Sequence, residues 1–166
     1  MYAAQIKVGG FTKVVQVTKV RPADAFTYAI GDVVNESVSA GTVWTFPNCA
    51  RVTGGSGRIV GANLVFNTAP SVKFMGELWV YHTAPASAND NVAFAPTILE
   101  QRNLIGVLSF GLPYVGGANV FYEADLAEKP FVTVGSASLF GILVARNLYI
   151  PAASEEITAK LLISQD

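Results

Sequence analysis

The stretch VKFMGELWVYH, residues 72–82, alternates without a break: Val72, Phe74, Gly76, Leu78 and Val80 fall on one side, Lys73, Met75, Glu77, Trp79 and Tyr81 on the other. A two-residue period held over that length marks an extended strand, because successive side chains leave a pleated backbone on opposite faces. The same period recurs in KVVQVTKV (13–20), TVWTF (42–46) and RIVGANLVF (58–66). β-Branched and aromatic residues predict further strands at 104–110, 119–123, 130–134, 139–149 and 157–164, with Gly, Pro, Asn and Ser clustered between them. Helical signal is confined to two short candidates, 96–102 and 123–128. About eight to ten strands with such regular punctuation predict an all-β, antiparallel β-sandwich. A jelly-roll-like arrangement is the first expectation, and an immunoglobulin-like sandwich is the alternative.

Residues 13–166 read as a single β-sandwich domain, preceded by an N-terminal arm or extended segment over 1–12. Residues 83–97, TAPASANDNVAFAPT, read as one long loop, and loops of that length in compact domains are usually functional or flexible. Arm and loop supply the candidate partner contacts: Tyr2, Ile6 and Phe11 from the first, Pro85, Asn89, Asp90 and Phe94 from the second.

The chain is 51% hydrophobic and only 14% charged, against roughly 25% charged residues in an average domain. So much apolar side chain in 166 residues points to subunit contacts, hence to self-association as a homo-oligomer, a dimer or trimer. The net charge of −1 and the scattered Lys and Arg residues argue against a nucleic-acid partner. The longest uncharged run, 103–122, could span a bilayer by length, but its four glycines and Pro113 predict two strands and a turn, so no membrane role is expected. The N-terminus lacks the pattern of a signal peptide, and the Asn35-Glu36-Ser37 sequon carries little weight without one. One cysteine, Cys49, excludes an intramolecular disulfide framework.

Catalytic chemistry is thin. Gly54, Gly55, Ser56 and Gly57 resemble a phosphate cradle, but Gly55, Gly57 and Gly61 are spaced one residue too far for a dinucleotide fingerprint. A strand follows them rather than a helix, so a tight turn is expected. His82, the only histidine, has no orienting acid or nucleophile coupled to it in sequence, although Asp90 and Glu100 exist. Glu123 and Asp125, or the Asn89-Asp90-Asn91 run, offer oxygen ligands without the spacing of a calcium loop. Trp79 and Tyr81 could form a carbohydrate-stacking platform. The expectation is a non-enzymatic protein with no cofactor and no bound metal.

Residues 28–66 also carry a resemblance. Ala29, Gly31, Asp32 and Val33, then Phe46, Ala50 and Arg51, then Gly54 to Gly57 and Ile59, resemble small structural proteins of tailed-bacteriophage virions. The resemblance covers about the first half of the chain. It implies a capsid cement, or decoration, protein: a β-sandwich seated on the lattice of the major capsid protein, on the virion exterior, made in the host cytoplasm during assembly. A tail or head fibre component is the alternative within the same class, and a carbohydrate-binding β-sandwich module is the alternative outside it.

Overall fold

The computed structural model describes residues 11–166. Ten strands and one short helix follow in order: β1 (Phe11–Val20), β2 (Trp44–Phe46), β3 (Ser56–Phe66), β4 (Gly76–Tyr81), α1 (Ile98–Arg102), β5 (Leu104–Phe110), β6 (Tyr114–Gly116), β7 (Asn119–Asp125), β8 (Lys129–Val132), β9 (Leu139–Ala145) and β10 (Glu156–Gln165). Every strand pairing is antiparallel.

The pairings nest. β1 lies against β10, β2 against β9, β3 against β7 and β4 against β5. This is one long antiparallel ribbon rolled up on itself, with β10 then lying beside β3 and β9 beside β4. The resulting orders, β1-β10-β3-β7 and β2-β9-β4-β5, are those of a jelly roll, two sheets joined by Greek-key connections. β8 adds to the lower part of β3, and β6 folds back on β7 as an outer strand. The two sheets meet where Ser109 and Phe110 of β5 pair with Asp125 and Ala124 of β7.

The interior follows from the alternation. Along β10, Ile157, Ala159, Leu161 and Ile163 are buried; along β3, Ile59, Ala62, Leu64 and Phe66; along β4, Gly76, Leu78 and Val80. These meet Trp44 and Phe46 of β2 and Leu139 and Leu143 of β9 in one core between the sheets. At one end of that core Phe66, Phe74, Tyr122 and Tyr149 pack with ring centroids 5.2–6.2 Å apart, mostly edge to face.

The second sheet is also covered over the middle of its other face. Tyr81, Ile142 and Val144 form a separate cluster with Val33, and Trp79, Phe94, Leu104 and Phe140 pack around it. What covers this face is the chain itself. Residues 31–34 bond to β9 (Val34 N to Leu143 O, 2.9 Å), and residues 91–94 bond in turn to 31–33 (Asn91 N to Val33 O, 2.9 Å; Phe94 N to Gly31 O, 2.8 Å).

Several boundaries differ from the sequence expectations. β1 opens at Phe11, so Phe11 and Thr12 are strand residues rather than arm, while Tyr2 and Ile6 lie outside the described residues. The strand expected over 72–82 begins only at Gly76, and the one expected over 139–149 ends at Ala145. Of the two helix candidates, α1 forms within 96–102, where Thr97 and Glu100 make a reciprocal capping box. The other, 123–128, continues β7 as far as Asp125. The uncharged run 103–122 holds β5, β6 and the start of β7, and no helix among the described residues is long and apolar enough to cross a membrane.

Candidate functional site

The long loop 83–97 turns inward. Asp90 is buried and forms an ion pair with Arg21 (Nη2 to Oδ2, 3.2 Å), both side chains being 1% exposed. Its Oδ1 accepts from the Tyr28 hydroxyl at 2.5 Å and from the Asn35 amide at 2.7 Å. Arg Nε also donates to the Tyr28 hydroxyl, and the guanidinium stacks on that ring at 4.7 Å. Asn89 accepts from the Gly41 amide at 3.0 Å. Phe94 meets Trp79 edge to face at 5.1 Å. As a partner contact, Asp90 is therefore corrected, because it is buried in an ion pair within its own domain, whereas Phe94 is half-buried against Trp79. Pro85 and Asn89 are half-buried, and Phe11 is exposed at the start of β1.

A second buried polar group adjoins the first, since Tyr28 and Tyr149 stack with centroids 6.1 Å apart. Tyr149 donates to Glu155 at 2.5 Å, and Thr68 donates to the other carboxylate oxygen. Burial pushes the Glu155 carboxyl up, against hydrogen bonds from Thr68 and Tyr149 and the attraction of Arg21. Sequence spacing gave no hint of these partners, which are brought together only by tertiary packing.

The other residues weighed for chemistry are also engaged. His82 Nδ1 lies 3.0 Å from the Thr83 hydroxyl. Glu100 caps α1 and accepts from the Ala86 amide at 2.7 Å, and these backbone bonds hold its carboxyl below the usual range. The Cys49 thiol is buried, donates to the Phe46 carbonyl at 3.3 Å and is pushed up to about 11 by burial. Tyr81 is wholly buried, so the proposed pair of stacking rings with Trp79 does not stand open. Glu123 and Asp125 are exposed on β7, opposite Asn63 and Ser109 respectively. Among the described residues no group of three or more His, Cys, Asp or Glu is placed to hold a metal ion.

The Gly54-Gly55-Ser56-Gly57 stretch divides between turn and strand. Gly54 has φ +74°, the Gly55 amide closes on the Val52 carbonyl at 3.0 Å, and β3 starts at Ser56. At Gly57 any Cβ would sit 2.7 Å from the Ser164 carbonyl and 2.8 Å from the Phe131 ring. One glycine is there for its backbone angle and the other for space.

One end of the sandwich shows solvent a group of apolar side chains. At the end where β1, β3, β5 and β9 finish, Phe26, Ile30, Val72, Met75, Leu112, Leu148 and Ile150 are all exposed, Leu112 at 88%. Hydrogen bonds tie three of these loops together: Tyr28 N to Tyr149 O (2.9 Å), Met75 N to Asn147 Oδ1 (2.9 Å) and Asn147 Nδ2 to Lys73 O (2.8 Å). The two arginines here are paired within the chain, Arg146 with Glu77 at 2.6 Å and Arg21 with Asp24 and Asp90, and the Lys73 ammonium donates to the Pro70 carbonyl.

The seam between β1 and β2 is built differently. Lys19, on the inner face of β1, reaches Glu36 and Asn35 at 2.6 Å and the Thr42 carbonyl at 2.5 Å, with its ammonium 5.3 Å from the Trp44 ring centre. Burial lowers the Lys19 pKa, and Glu36 opposes the shift. Burial also raises the Glu36 carboxyl, but hydrogen bonds from Lys19 and Thr42 outweigh it and hold it low. Lys13, from the same face, donates to the Asn48 carbonyl at 3.3 Å. Comparison with protein-family models finds no match for this chain, and comparison with curated proteins finds none either.

Proposed function

We propose that this protein is a non-enzymatic structural subunit that binds and reinforces a larger protein shell, as a capsid cement protein of a tailed bacteriophage does. The observation that carries the reading is the apolar end of the sandwich. Phe26, Ile30, Met75, Leu148 and Ile150 project from loops held together by backbone and Asn147 hydrogen bonds. Large exposed apolar side chains gathered at one end of a domain are characteristic of association sites. Arg21 and Arg146 at that end are paired within the chain, so neither presents an isolated charge to desolvate on contact. The resemblance of residues 28–66 to small virion proteins supplies the identity of the shell, the major capsid protein lattice.

The test is cosedimentation of the purified chain with assembled shells, together with its copy number in the particle. Hundreds of copies per particle, and release on Leu148→Asp, are expected. A chain absent from virions, or present in only a few copies, sinks the cement reading, and the second of these outcomes indicates a fibre component.

A further inference from the structure

We infer that β6 is a homotypic docking edge: two copies of this chain pair their β6 strands antiparallel about a two-fold axis centred on Val115. The inference rests on the self-association expected of so apolar a chain and deepens it by naming the surface.

Two outer strands of the first sheet, β1 and β6, are treated in opposite ways. β1 carries Lys13 and Lys19 on its inner face, both spent in bridging the seam to β2 and its flanking loops. Inward-pointing charge of this kind is a common protection against edge-to-edge pairing. β6 has no such protection. It sits outside β7, all three of its residues are exposed, and it lies in the longest uncharged run of the chain, 103–122. Leu112 just before it and Tyr114 within it stand open at 88% and 64% exposure.

Strand geometry says which backbone groups are free. β6 and β7 are joined by the two-residue turn 117–118, so the flanking pair Gly116 and Asn119 is the hydrogen-bonded one. Val115, one residue on, then turns its N–H and C=O away from β7. In a two-fold pairing each Val115 N–H donates to the other copy's Val115 carbonyl, and each Gly117 N–H donates to the other copy's Pro113 carbonyl. Pro113 has no N–H to return, so the ladder stops there, and the contact closes as a dimer.

The side chains complement themselves in that register. Tyr114 falls opposite Gly116 of the second copy, so a large ring covers a position with no side chain. Tyr114 already leans on Phe121 at 6.3 Å, which braces the ring on this face of the sheet. A symmetric contact brings each residue near its own copy, so any charge would repel itself, and 103–122 contains none. This is the argument for a second copy rather than a different partner.

The experiment measures assembly directly. Sedimentation equilibrium of the full chain is expected to give a dimer, and Val115→Lys a monomer with unchanged circular dichroism, since Val115 is more than half exposed. Val115→Cys is expected to form an intersubunit disulfide on oxidation, because opposed Cα atoms about 5.5 Å apart fall within disulfide range. Gln16→Cys on β1 is the control and stays uncrosslinked, as does the buried Cys49. A wild-type monomer, or a dimer in which Val115→Cys does not cross-link, overturns the inference. Shell binding by a chain that stays monomeric overturns β6 pairing while leaving the shell reading intact.

Discussion

Glu155 is wholly buried, and among the described residues its carboxylate accepts directly from two hydroxyls, those of Thr68 and Tyr149. Compare Asp90, which faces the Arg21 guanidinium across 3.2 Å. The contrast has a consequence in pH. Burial raises the Glu155 pKa above its ordinary 4.5, so the folded state holds this proton more tightly than the unfolded chain. The stability it contributes is fully present below pH 4.5 and is lost as pH rises through the raised value. Glu155→Gln keeps a neutral hydrogen-bonding group at all pH values. Melting both proteins from pH 4 to pH 8 should therefore show the variant gaining on wild type as pH rises, then running parallel above the folded pKa. Glu36 and Glu100, held low, lose their contribution as pH falls, and they do so in both proteins alike. A difference that does not change with pH would mean that Glu155 ionises as freely as in the unfolded chain.

The elements were legible where a strand shows water on one face, and illegible where the fold hides both. β10 and β3 alternate as expected, and their apolar residues line the core. β4 alternates too, but its second face is covered as well, Tyr81 fully and Trp79 in part. Nothing in VKFMGELWVYH tells a face that meets a partner from a face that meets residues 83–97 of the same chain. That is why the loop read as outward-reaching, with Asp90 and Phe94 as its contacts. β6 was passed over for another reason: three residues between Pro113 and a turn are too few to display a period. The candidate site was less legible than the fold, because exposed loop residues such as Leu148 and Ile150 follow no pattern and acquire meaning only when the jelly roll gathers their loops at one end. Residues 88–94 lie as a strap over the outer face of β4 and β9, and this carries a prediction of its own. Phe94→Ala removes the ring against Trp79 and should cost about 1–2 kcal/mol, less than a fully buried Phe, lowering Tm by about 2–8 °C. Amide exchange should quicken at 88–94 and stay unchanged along β10. Equal acceleration in both would mean that the strap and the sandwich open together.

At the scale of the whole molecule, the nested ribbon prescribes an order of assembly. β4 and β5 are the innermost pair, and each later pair encloses the one before, out to Phe11 opposite Gln165. Closing a loop costs about (3/2)RT ln n in entropy, so forming β1–β10 first would close nearly the full chain at once. With β4–β5 and β3–β7 already in place, most of that span is tied down and the remaining closure is shorter. Topology dominated by such distant pairs folds in about milliseconds to seconds, with the inner pairs making up the nucleus. Leu78 on β4 and Leu161 on β10 are matched probes, both fully buried in the same core. Truncating either to alanine should cost about 2–5 kcal/mol, but the cost should appear in different rates. Leu78→Ala should chiefly slow refolding, and Leu161→Ala should chiefly speed unfolding, as read from the two limbs of a denaturant chevron. The reverse pattern would place the nucleus at the outer edge, where the first and last strands meet, and the ribbon would then close from its open end inward.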